Sequence, residues 1–429
     1  MTMSKNSVLS ALPARMATYI EFRLQDSHDA GAGRGFPQPV SLTPTVSAYL
    51  DIVRALAAFI VVLGHWRAFY FVDYGQVQAG NATSFVKALY ASTRYGHQAV
   101  MVFFVMSGFF ISSSVLRSFG RQTWSWRDYA IDRGVRLYLV LIPGLFLGLV
   151  WDWLGMTFFN SSSIYSAPLV PFGENVPANT LMPITFLGNL LFLQTRFTQV
   201  FGSNGPLWSL FNEFWYYLLF PALIVTILSL RRRAIVTTFG YLLLVAFTIW
   251  ILGYQVLGFV VWLAGCGVAL ALRYLRFADT SKGLRRLYVM FAVAVFFICL
   301  VANRTSNLWL GSDLAVGLSF AFLMHAILQV QVPIGAAGRK LAKTFAGFSY
   351  TLYVLHFPLL LFIRARWQQS FRWQPDMMHL AYGSCIIACV LLYAFGIARI
   401  TESNTAAVRG WIRNRIAGDF KAPQRVLQN

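Results

Sequence analysis

Read by polarity, the chain is a series of apolar runs separated by short charged connections. Runs able to span about 30 Å of hydrocarbon lie near 47–71, 97–117, 134–156, 206–229, 234–252, 256–272, 286–302, 311–331, 345–363 and 379–399. They predict an all-α polytopic membrane protein with about ten transmembrane helices. Residues 1–45 have no continuous apolar run and mix Arg15, Arg23 and Arg34 with the turn-rich GAGRGFPQP. That composition reads as a mostly disordered cytosolic tail, not as a secretory signal. The membrane domain is then 46–400, and 401–429 is a basic cytosolic C-terminal tail.

Charge orients these spans. Basic clusters occupy every second connection: Arg117 to Arg136, Arg231 to Arg233, Arg273 to Arg286, Arg339 to Lys343, and Arg409 to Arg415. Placing them in the cytoplasm puts both termini inside and leaves 72–96 and 157–205 outside. The connection 364–377 fits less well, because it carries Arg364, Arg366 and Arg372 yet must face out. TFLGNLLFLQ at 185–194 cannot be an eleventh span without moving Arg231 to Arg233 outside. Residues 180–197 therefore read as a re-entrant or interfacial helix on the outer face. No internal repeat is evident, so symmetry offers no support for an inverted-repeat transporter.

Composition agrees with this picture. The chain is 57% hydrophobic and 12% charged, with a mean hydropathy of +0.59, against about 25% charged residues in soluble domains. Its net charge of +20 would suggest nucleic acid in a soluble protein. Here the cations sit between apolar runs and serve orientation, so the expected partners include membrane lipids and exclude nucleic acid. Cys266, Cys299, Cys385 and Cys389 all lie in apolar segments, where cysteine acts as a small hydrophobe. Neither a disulfide nor a metal site is expected.

Ionisable residues within a span cost at least about 2.5 kcal/mol near its centre, which makes each a functional candidate. In DIVRALAAFIVVLGHW, Arg54 and His65 are eleven residues apart, within about 20° of one helical face and about 16 Å apart along the axis. Plainer roles exist for both: Arg54 as a snorkelling cation or a partner of Asp51, and His65 as a neutral core histidine. GPLWSLFNEFWYYLLFP puts Ser209, Glu213 and Tyr217 in one polar stripe, and FSYTLYVLHFPLL places Tyr353 and His356 at i, i+3. His65, Glu213 and His356 share a depth about 10 Å below the outer surface. At the other side Arg54, Arg133 and Arg136 cluster, either as orientation signals or as phosphate ligands. In VFFVMSGFFISSS, Gly108 and Ser112 form a small-xxx-small packing pair, while Ser107, with no adjacent base, suits a hydrogen-bonding role.

A cationic cytoplasmic mouth, a buried histidine farther along the same face and a carboxylate at its depth suit transmembrane group transfer. A phosphate-bearing donor would extend its reactive end inward, and histidine would take a hydroxyl proton from an outer acceptor. A proton-coupled transporter uses the same residue types as a relay.

LDIVRALAAFIVVLGH resembles the first-helix signature of the membrane acyltransferase 3 family, an Arg and a His with ten residues between. FFVMSGFFIS, PLWSLFNEFWYYLLFP and FSYTLYVLHFPL resemble its second-helix, Glu-bearing and late Ser-Tyr…His-Pro helices, in the family's order across residues 50 to about 360. In one departure, the proline that usually follows the basic pair closely is here the more distant Pro143. The resemblance, to members without a C-terminal esterase-like domain, implies about ten transmembrane helices in a cytoplasmic (inner) membrane. It implies O-acetyl transfer, usually from acetyl-CoA, to a sugar hydroxyl of an exported glycan or lipid-linked saccharide. It makes His65 the catalytic histidine, and Arg54, Arg133 and Arg136 the residues serving the acyl-CoA donor. The expected mechanism has His65, oriented by Glu213, deprotonate the acceptor for direct attack on the thioester, or form an acetyl-histidine. Ser107, Trp208, Ser209, Tyr217, Tyr350, Tyr353 and His356 are then supporting or acceptor-side residues. No permanently bound cofactor is expected. A transporter or flippase for a glycan or acyl precursor is the alternative.

Overall fold

The computed structural model describes residues 43–159, 163–169, 176–274, 281–303, 309–330, 334–367 and 372–419. Most of the expected N-terminal tail, 1–42, and residues 420–429 lie outside the described residues. Among the described residues the secondary structure is helical, with two isolated bridges, Phe71 with Trp373 and Gln194 with Thr198.

The first half comprises α1 Pro44–Tyr70, α2 Ser84–Thr93, α3 Gly96–Gly120, α4 Trp126–Phe158, α5 Pro183–Leu190 and α6 Trp208–Arg231. The second comprises α7 Ile235–Leu252, α8 Val256–Tyr274, α9 Lys282–Ala302, α10 Trp309–Val330, α11 Ala336–Ala346, α12 Ser349–Trp367, α13 Met377–Ile400 and α14 Thr405–Asp419. Several starts carry the expected polar cap: Thr43 accepts from Val46 N, Ser125 from Asp128 N and Asp376 from His379 N. Each relieves a backbone donor that the helix itself cannot satisfy.

Among the described residues, seven stretches are long and apolar enough to cross a membrane, or eight if α11 and α12, bent by 47°, form one crossing. Each of the ten predicted runs overlaps a helix among the described residues. Runs 234–252 and 256–272 lie in one stretch, Ile235–Leu272, broken by a single 3-10 turn in which Gly253 has φ +55°. Run 311–331 falls on α10, Trp309–Val330. Leu243, Phe247 and Trp250 on α7 and Met290, Phe291 and Ile298 on α9 are exposed, an apolar surface that suits hydrocarbon and not water.

Close packing at small residues sets the centre. A Cβ on Gly108 would sit 1.8 Å from the Trp262 carbonyl, and one on Gly265 would sit 1.9 Å from the Val105 carbonyl. The small-residue stripe on α3 thus lets the α3 and α8 backbones touch. Similarly, a Cβ on Gly144 of α4 would meet Val354 of α12 at 2.4 Å.

The expected helix over 180–197 is shorter: α5 exposes Ile184 and Leu187 and buries Thr185, Gly188 and Asn189. The irregular chain that follows is held by side chains. Asn189 donates to the Thr185 and Gln199 carbonyls at 2.8 and 2.9 Å. Asp152 accepts from Ser203 N and Oγ, both at 2.7 Å. Buried irregular backbone is tolerated only when protein groups satisfy it. At the C-terminus, α14 docks on α4, where Arg413 Nη2 lies 3.0 Å from Asp132 Oδ1.

Candidate active site

Helices α1, α3, α4, α6 and α12 enclose a cavity of about 370 Å³, within the size range of small-molecule sites. It brings together nine of the residues singled out from sequence: Arg54, Ser107, Arg133, Arg136, Ser209, Glu213, Tyr217, Tyr350 and Tyr353. A second cavity of about 380 Å³ contains His65 and Trp208. Val100 and Tyr353 line both cavities, so they form the wall between them. Arg54 and His65 share one helical face, as expected, but open into different chambers.

The first cavity, the inner one on the expected topology, is cationic. Arg54 Nη2 lies 3.2 Å from Asp51 Oδ1 and donates to the Ala346 carbonyl at 3.1 Å. The plain reading of Arg54 as a partner of Asp51 therefore holds alongside its place in the cavity wall. Arg133 stacks at 5.8 Å over Tyr129 and Arg136 at 5.6 Å over Tyr350. Nε of Arg54, Nε of Arg133 and the Tyr350 hydroxyl are buried with no hydrogen-bond partner among the described residues. Buried donors left in this state are costly, and an anionic guest would satisfy them.

Glu213 does not hold His65. Its carboxylate accepts from Tyr217, one turn along α6, inside the cationic cavity. The expectation of a Glu–His pair is thereby corrected: α6 presents Glu213 to the cavity of Arg133 and Arg136, and His65 lines the other one. Ser107 accepts from Trp262 Nε1 at 3.2 Å, the hydrogen-bonding role expected of it. Ser209 and Tyr353 hydroxyls lie 2.8 Å apart, and Tyr353 donates to the Pro206 carbonyl at 3.1 Å.

The partner of His65 is His356. Nδ1 of His65 lies 2.8 Å from Nε2 of His356, and Nδ1 of His356 lies 3.0 Å from the Leu352 carbonyl. A carbonyl only accepts, so His356 carries its proton on Nδ1 and its Nε2 accepts from His65. That leaves the lone pair of His65 on Nε2. His356 is fully buried, while His65 is partly exposed to the outer cavity. Phe357 packs edge-on to the His65 ring at 5.0 Å and fixes its plane.

Three supporting features were not read from the sequence. Pro358 has no N–H for the Val354 carbonyl one turn earlier, and Asn204 Nδ2 donates to that carbonyl at 2.9 Å. Glu402 is buried: its Oε2 accepts from Thr351 N and Oγ1, both at 3.1 Å, and its Oε1 lies 3.9 Å from Arg136. Its place just beyond the last apolar run made it look like part of a tail. Just beyond the end of α1, Arg372 grips Asp73 through two bonds of 3.1 and 2.7 Å. Those bonds hold the Asp73 carboxyl below its ordinary range, and they match one of the cations that fitted poorly in an outer connection.

Comparison with protein families decides the class. A family profile described as an acyltransferase domain matches residues 47–398. The chain belongs to the acyltransferase 3 family. The match covers α1 to α13, every helix that lines the two cavities. Comparison of the acyltransferase with curated proteins and with solved structures finds no match.

Proposed function

We propose that this acyltransferase moves an acyl group, acetyl from cytoplasmic acetyl-CoA, to a hydroxyl of an exported or surface glycan or of a lipid-linked saccharide. In this reading the chain crosses the inner membrane ten times with both termini in the cytoplasm, and the inner cavity faces the donor. The observation that carries it is the pairing of an arginine-lined cavity with a histidine-lined one across a single wall.

Arg54, Arg133 and Arg136 would hold the donor's phosphates by charge-assisted hydrogen bonds. The thioester end would reach the wall at Val100 and Tyr353, beyond which His65 lies. Nε2 of His65 takes the acceptor hydroxyl proton as the oxygen forms its bond to the thioester carbonyl carbon. The C–S bond breaks, and the leaving thiolate of coenzyme A recovers the proton from the imidazolium. His356, accepting from Nδ1 of His65, fixes the tautomer and stabilises the imidazolium, a task elsewhere done by a carboxylate.

The test is mass spectrometry of surface and exported glycans from cells with the wild-type chain, without it, and with His65→Ala. An acyl mass increment should be present only with the wild-type chain. Membranes carrying His65→Ala that acetylate glycan from acetyl-CoA at the wild-type rate would falsify the mechanism.

A further inference from the structure

The transfer mechanism leaves part of the outer cavity unused. Besides His65, its lining includes His97 near the start of α3 and Trp208 at the start of α6. The two rings are nearly parallel, 17° apart with centroids separated by 6.0 Å. Phe104, which lines the inner cavity, braces the indole edge-on at 6.2 Å. Aromatic faces thus reach the chamber of the reactive histidine from two helices.

The polar edges of these rings are set as well. Nε2 of His97 lies 2.9 Å from Oδ2 of Asp313 on α10. A carboxylate only accepts, so Nε2 carries the proton and the neutral ring keeps its lone pair on Nδ1. Nε1 of Trp208 can only donate. Neither Nδ1 of His97 nor Nε1 of Trp208 has a hydrogen-bond partner among the described residues. Joining helices does not account for the His97 pair. Gln98, the next residue, is buried and already ties α3 to Asn303, just past α9, with a bond of 2.6 Å. The pair of His97 and Asp313 is half-exposed, where an ion pair adds little stability. Aromatic faces with one free donor and one free acceptor at their edges match a pyranose, whose C–H face is apolar and whose hydroxyls both give and take hydrogen bonds.

We propose that Trp208 and His97, the latter oriented by Asp313, form the subsite that binds a sugar ring of the acceptor. The C–H face packs on the indole, one hydroxyl accepts from Nε1 of Trp208, and another donates to Nδ1 of His97. This rests on the glycan-transfer reading.

The probe is surface glycan extracted from cells that lack the chain, offered with labelled acetyl-CoA to detergent-permeabilised membranes carrying wild type or a variant. Trp208→Ala should raise KM for this glycan about tenfold, with KM for acetyl-CoA within about twofold of wild type and a smaller change in kcat. Trp208→Phe keeps a ring but loses the donor, so the rise should be about threefold. His97→Ala should raise the glycan KM about three- to tenfold. Asp313→Asn should do less than His97→Ala, because the amide still bonds the ring but no longer fixes which nitrogen holds the proton. A glycan KM for Trp208→Ala and His97→Ala that stays within about twofold of wild type, or variants that raise both KM values together, overturn the subsite while transfer itself stands. Wild-type membranes that move no label to this glycan would sink the transfer reading, and the subsite with it.

Discussion

The two cavities are similar in size, share a wall and both contain arginines, yet their cations are held differently. In the inner one, Arg54 is set by Asp51 and the end of α11, and Arg136 by Glu402 and the Tyr350 ring. In the outer one the lining includes no carboxylate, and His65 is paired with His356 behind it. Carboxylates beside a cation fix its geometry at some cost in net charge, which suits a large, multiply charged guest that supplies its own attraction. A pair of neutral rings locked by a backbone carbonyl instead fixes one proton and leaves one lone pair in a defined direction. On the function proposed above, the inner cavity binds and the outer one reacts.

The sharpest way to break that division is at His356. His356→Ala removes the acceptor for Nδ1 of His65 without touching the inner cavity, so kcat should fall at least about a hundredfold while KM for acetyl-CoA stays within about twofold. A matching rise in KM would mean that the histidine pair serves binding. The converse variant is Arg133→Gln, at an arginine with no ion-pair partner among the described residues. Loss of a charge-assisted bond should raise KM for acetyl-CoA by about ten- to a hundredfold, with a smaller change in kcat. An unchanged donor dependence would remove Arg133 from the donor site. Glu402→Gln should do less, about three- to tenfold in KM for acetyl-CoA, because the neutral amide still accepts from Thr351 but no longer attracts Arg136. Glu402→Asp should recover part of it; equal losses in kcat would point to a folding role alone.

What the sequence conveyed and what it withheld divide along a physical line. A helix has a known rise and rotation, so the shared face of Arg54 and His65 followed from counting. Which helices touch follows from side-chain packing across long separations. The close approach of α3 and α8 at Gly108 was legible as a small-residue stripe, but that α12, and not α6, would present its polar face to His65 was not. Glu213 was therefore paired with the wrong partner. Asn204 and Glu402 escaped notice because each answers a need visible only in three dimensions, an orphaned carbonyl created by Pro358 and a buried guanidinium. Asn204 had one available signal: a proline inside an apolar run leaves a carbonyl that some other segment must satisfy. The crossing number stayed open for a similar reason, since hydropathy finds the apolar runs but not how far a single turn at Gly253 redirects the chain.

The smallest expected effect concerns how the outer chamber is braced. Asp73 follows α1, and Arg372 precedes α13; their paired bonds run beside the backbone bonds from Val72 N to the Trp373 carbonyl and from Trp373 N to the Tyr70 carbonyl. The Asp73 carboxyl is held below its ordinary value by the hydrogen bonds from Arg372. A carboxyl with a lowered folded-state pKa contributes stability above its unfolded pKa, and that contribution is lost as pH falls through the folded value. The pair is exposed, so it is worth at most about 1 kcal/mol. Asp73→Asn should thus lower the Tm of the detergent-solubilised chain by a few degrees or less at pH 7, and the gap from wild type should close as pH falls below the ordinary carboxylate range. Activity at pH 7 should change little, because the backbone bonds still join the two segments. A large loss of kcat in Asp73→Asn would show instead that this brace sets the position of Arg67 and His65, and that the outer chamber depends on a neighbouring carboxylate after all.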